Sequence, residues 1–175
     1  MDGAVWVAAF TGGTAVLASW VTNLGNVRAA RAQAEASAVA QERGRARELR
    51  RAAYLDLMEQ AHCTGELYWR AVFAFDQVDD ADELLARVQE LRVQLRDAYE
   101  PLMRTVRVIA LEGPAGVAEA AEAVLGAAAD TNRTLWHFVL GESGARERFE
   151  ACHGEFKRLL ADFVAAAREA MAAGS

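Results

Sequence analysis

The chain has 175 residues, of which 53% are hydrophobic and 25% charged, with a formal net charge of −6. These proportions exclude a disordered or collagen-like chain, and 39 Ala against 13 Gly and 2 Pro favour long helices over strands. The basic residues are 18 Arg and one Lys, Lys157, a bias in keeping with GC-rich coding that carries no functional weight.

No charged residue occurs between Gly3 and Val27. Inside that stretch Ala4 to Leu24, 21 residues long, would extend roughly 30 Å at about 1.5 Å per residue, the thickness of a bilayer core. The stretch predicts one transmembrane helix over residues 4–24. Trp6 and Trp20 fall near its ends, where indoles favour the headgroup interface. Apolar residues occur on every face instead of in one stripe, which separates the segment from a helix buried in a soluble fold. A cleaved signal peptide would need positive charge at its start, and the chain begins Met-Asp-Gly. Ala8, Gly12, Ala15 and Ser19 lie along one side, and Ala9 and Gly13 form a second small pair. Small residues allow close backbone approach in lipid, so a homo-oligomer formed through this helix is expected.

Residues 25–51 hold seven Arg against three Glu, whereas only Asp2 precedes the span. Positive charge marks the cytoplasmic side, with Arg28 and Arg31 nearest the headgroups. The expectation is a single-pass protein of the cell membrane, N-terminus outside. Residues 52–175 carry 12 basic and 21 acidic side chains, and a net of −9 argues against direct nucleic-acid binding.

Residues 25–44 read as a basic, Ala-rich helical stalk, because Ala propagates a helix well but buries little area. From Arg45, apolar or small residues recur at helical spacing: Ala46, Leu49, Ala53, Leu57, Ala61, Tyr68, Ala71 and Phe75. Gly44 and Gly65 mark a bend or a close helix contact. Asp76 to Asp82 is a turn in which Asp79 or Asp80 caps a helix with the seam Leu84, Val88, Leu91, Leu95 and Ala98. Pro101 should kink or break that arm before Leu102 to Leu111, and Gly113-Pro114 should end it. A third arm, about Ala115 to Leu140, has the seam Val117, Ala121, Val124, Ala128, Thr131, Leu135 and Phe138. Gly141-Glu-Ser-Gly144 closes it with a tight loop. The fourth, about Ala145 to Met171, presents Phe149, Cys152, Phe156, Leu159, Phe163, Ala166 and Ala170. The fold class is therefore all-α: an N-terminal transmembrane helix, a helical stalk, and a cytoplasmic up-down four-helix bundle over residues 45–175.

Two constellations bear on metal chemistry. His62-Cys63 and Cys152-His153 supply the residue types of a zinc site, but adjacent helical residues diverge by about 100°, so neither pair aims at one ion. Both cysteines read as small reduced core residues, with the two histidines at the core edge. Glu59-Gln-Ala-His62 and Glu150-Ala-Cys-His153 match the Glu-x-x-His element of di-metal carboxylate bundles, which also needs a buried Glu from each of two other helices. Glu90, Glu100, Glu119 and Glu122 lie off the seams, so solvated faces explain these Glu residues more simply. His137, between Trp136 and Phe138, reads as a packing residue. No catalytic motif and no cofactor site emerges. The expected role is a non-enzymatic interaction or assembly protein with an unidentified protein partner; the alternative is a di-metal bundle enzyme.

The charge-free N-terminal span followed by an Arg/Ala tract, Val27-Arg-Ala-Ala-Arg-Ala and then Arg43-Gly-Arg-Ala-Arg-Glu-Leu-Arg-Arg, resembles small single-span membrane proteins of actinobacterial type, among them the KilB plasmid-spread type. The resemblance covers about the first 55 residues and is compositional, so it transfers no functional residue. It implies an assembly component in the movement of conjugative plasmid DNA. It does not imply the motor, since no phosphate-binding G-x-x-x-x-G-K is present.

Overall fold

The computed structural model describes residues 30–173. Four helices make up the fold, α1 (Gly3–Gln77), α2 (Ala81–Glu112), α3 (Ala115–Val139) and α4 (Ala145–Ala173), and no strand occurs among the described residues. The expected transmembrane helix 4–24, with Ala8, Gly12, Gly13, Ala15 and Ser19, lies outside the described residues, as does Arg28. Among those described, no helix is long and apolar enough to cross a membrane. The chain divides into two units, residues 1–45 and 46–175. In the first, every residue from 30 to 45 is solvent-exposed, Arg31 included.

The second unit is a helical bundle whose contacts fix its directions. Tyr54 of α1 meets Phe163 of α4 with ring centroids 6.0 Å apart, and Phe75 meets Phe149 at 5.6 Å, so α1 and α4 run antiparallel. The Asp56 carboxylate of α1 accepts the Thr105 hydroxyl of α2. Arg92 of α2 lies 4.3 Å from the Trp136 ring of α3. Tyr68 and Phe75 meet Asn132 and Phe138 of α3 in the same order, so these two helices are parallel across the core. This is up-down-up-down order.

The helix ends follow from local chemistry. Asp80 has extended backbone, and its Oδ1 accepts the Glu83 N–H at 2.8 Å, satisfying one of the donors that open α2. Asp82 and Glu83 add negative charge where the helix dipole is positive. Gly113 ends α2 by donating its N–H to the Ile109 carbonyl at 2.8 Å. The α3–α4 loop turns on Gly141 and Gly144, with φ of 72° and 68°, where a side chain would be strained.

Burial follows the expected seams on α2, α3 and α4: Val88, Leu91 and Leu95; Val117, Ala121, Val124, Ala128, Thr131 and Leu135; Phe149, Phe156 and Phe163. Three expectations are corrected. Pro101 does not break its arm: α2 continues to Glu112, with Leu102, Val106 and Ile109 buried beyond the proline. Packing on both sides of Pro101 outweighs the one hydrogen bond a proline removes. Leu49 is 61% exposed, and among the described residues burial on α1 starts at Ala53. Cys63 is exposed and Cys152 partly so, while His153 is 4% exposed, so histidine and not cysteine fills the core. The i, i+4 offset from Phe149 carries His153 inward on α4, whereas Cys152 lies one residue round the helix. Of the two flagged glycines, Gly65 is the one at a packing contact, 3.9 Å from the Phe156 ring for an added Cβ; an added Cβ at Gly44 meets nothing.

Candidate functional site

The bundle buries its aromatic residues on α1 selectively. Tyr68, Ala71, Ala74 and Phe75 turn inward, while Trp69 and Phe73 are 54% and 67% exposed. Residues four apart share a helix face, so the two rings stand one above the other outside the core. α1 and α2 frame a groove of about 660 Å³ there. Its apolar surface comes from Trp69, Phe73 and Ala74 of α1, Val78 just past its end, and Ala86 of α2, and its rim is charged, from Glu66 and Arg70 to Glu83, Arg87 and Glu90. Arg87 and Glu90 pair at 2.8 Å, leaving mixed charge around an apolar centre.

Trp69 is held in place. Its ring stands edge-on to the His153 ring at 5.6 Å between centroids, and the Lys157 ammonium lies 5.1 Å from its centre. An indole fixed in this way meets a ligand with little ordering cost, which favours recognition. His153 in turn is packed against Tyr68 and Phe149, and its Nε2 is buried without a hydrogen-bond partner. Burial pushes the imidazole pKa down, and the nearby Lys157 charge adds to the effect.

The metal candidates are dispersed. Glu59 and His62 are exposed on α1, Glu150 is exposed on α4 and bound to Arg146 at 2.9 Å, and only His153 is buried. Among the described residues no group of three or more His, Cys, Asp or Glu side chains is arranged to hold a metal. Of the other Glu candidates, Glu90 and Glu100 hold arginines one turn away, and Glu119 and Glu122 are exposed. His137 binds the Glu142 carboxylate at 2.7 Å, an interaction that ties the end of α3 to its loop.

Trp69 and Phe73 belong to no seam read from the sequence. The available signal was their spacing: two aromatic residues four apart, beside a face already filled by Tyr68, Ala71 and Phe75. No protein-family profile, curated protein or solved structure matches this chain.

Proposed function

We propose that the chain is a membrane-anchored, non-enzymatic interaction protein whose helical bundle docks a helix of a partner protein in the groove at Trp69 and Phe73. The observation that carries this reading is the exposure of those two rings beside a core that buries Tyr68, Phe149, Phe156 and Phe163. From Glu66 to Ala74 the α1 side of the groove runs about 12 Å at the helical rise, the length of roughly two turns of a partner helix. An apolar centre with a charged rim is the usual anatomy of a recognition surface.

The anchor is the charge-free stretch 4–24, with Arg28 and Arg31 at the inner headgroups and the bundle in the cytoplasm. The small residues Ala8, Gly12, Gly13, Ala15 and Ser19 support self-association in the bilayer. The exposure of residues 30–45 supports a stalk that gains from packing on an identical neighbour. A role in a plasmid-transfer assembly is the specific form that the resemblance of the first 55 residues supports.

The test is affinity purification of the full chain from native membranes, comparing wild type with Trp69→Ser/Phe73→Ser by quantitative mass spectrometry. The proposal expects proteins enriched with wild type and depleted with the double variant, both chains being equally helical. Identical profiles would overturn the groove as the docking site.

A further inference from the structure

On the face of α2 away from that groove lies a second cavity, of about 390 Å³, between α2 and α3. No Asp or Glu lines it. Two arginines one helical turn apart do, Arg92 and Arg96, with Gln89, Tyr99 and Asn132 as further polar groups. This is unusual in a bundle where 21 acidic side chains face 12 basic ones over residues 52–175. Elsewhere Arg87, Arg104, Arg133, Arg146, Arg148 and Arg158 each hold a carboxylate. Arg92 instead stacks on Trp136 at 4.3 Å, and burial together with the like charge of Arg96 pushes its pKa down.

The rest of the cavity is suited to the same task. Asn132 accepts the Tyr68 hydroxyl through Oδ1 at 3.0 Å, which fixes the amide and leaves its N–H groups to donate. Val93 and Ala129 supply apolar wall. The volume falls within the range of small-molecule sites, and guanidiniums fit the planar oxygens of oxyanions in bidentate fashion.

We propose that this cavity binds a small organic oxyanion, its charged oxygens held between the Arg92 and Arg96 guanidiniums and its apolar body against Val93 and Ala129. Stacking on Trp136 presents Arg92 in one orientation, so little ordering is needed when the anion arrives. Among the described residues neither guanidinium forms an ion pair, so a bound anion would neutralise two neighbouring like charges.

Calorimetric titration of the full chain with benzoate, phenyl phosphate, inorganic phosphate and benzyl alcohol tests this. The expected result is saturable binding of phenyl phosphate or benzoate that weakens as salt is raised, no binding of benzyl alcohol, and weaker binding of inorganic phosphate. Arg92→Gln/Arg96→Gln should lower affinity by about tenfold or more and abolish the rise in melting temperature that the bound anion gives wild type. Arg158→Gln, exposed on α4 and outside both cavities, should leave both unchanged. Should the double variant fail to fold, the salt dependence and the benzyl alcohol comparison on wild type still decide. Absence of saturable binding by either organic anion, salt-insensitive binding, or equal affinity for inorganic and phenyl phosphate would overturn the proposal.

Discussion

The Tyr68 hydroxyl of α1 lies 3.0 Å from Asn132 Oδ1 and 3.0 Å from the Ala128 carbonyl, both on α3. This hydrogen-bonded link crosses the centre of the bundle, in a ring whose side chain is wholly buried. Burial pushes the phenol pKa up, so the hydroxyl stays neutral and remains a donor.

The two buried tyrosines of α1 should therefore respond oppositely to loss of their hydroxyls. Tyr68→Phe removes the one donor that Asn132 Oδ1 and the Ala128 carbonyl share and should cost about 1 to 2 kcal/mol. Tyr54 has a buried hydroxyl with no hydrogen-bond partner, so Tyr54→Phe should be neutral or stabilising by up to about 1 kcal/mol. Urea unfolding of both variants checks this pair.

His153 gives the bundle a pH dependence with a definite sign. Its folded pKa lies below the ordinary 6.5, so on acidification the unfolded chain takes up the proton first. Its contribution is fully present above pH 6.5 and is lost as pH falls from there toward the folded pKa. His153→Phe should flatten the melting temperature in that window. An unchanged slope would place the titration elsewhere.

Gly113 marks a steric limit at the α2–α3 junction. A Cβ there would sit 2.7 Å from the Ile109 carbonyl oxygen and 3.5 Å from the Tyr54 hydroxyl. Gly113→Ala should destabilise the bundle by about 1 to 3 kcal/mol, the range of an overpacked site. The same change at Gly116, where an added Cβ meets nothing, should be neutral or stabilising by a few tenths of a kcal/mol, a fraction of the roughly 1 kcal/mol that separates Ala from Gly in a helix interior. Thermal melts of the two variants provide the comparison.

Helix number and seams were legible because burial in a bundle repeats at the helical period, and Val117 through Leu135 follow it without exception. Caps were legible where a side chain makes the bond, as at Asp80. Pro101 misled because local propensity speaks for one hydrogen bond, whereas Leu102, Val106 and Ile109 together bury far more. The groove was illegible because periodicity assigns residues to a buried face and leaves the rest undifferentiated. Trp69 and Phe73 stand out only once α2 is placed beside them.

The proposed anchor makes a prediction of its own. With seven Arg between residues 25 and 51, a reporter fused after Ser175 should be active only in the cytoplasm, and replacing those Arg by Glu should weaken the preference. Gly12→Leu/Gly13→Leu should reduce crosslinked dimers in membranes while preserving insertion.

The central claim, that the Trp69 and Phe73 groove is a partner's seat, is tested most directly by a photo-crosslinking residue placed at position 73 of the full chain in native membranes. A discrete adduct with another protein is expected from position 73, lost on Trp69→Ser and absent when the same probe is placed at exposed Val108. No adduct from position 73, or the same adduct from position 108, would contradict it.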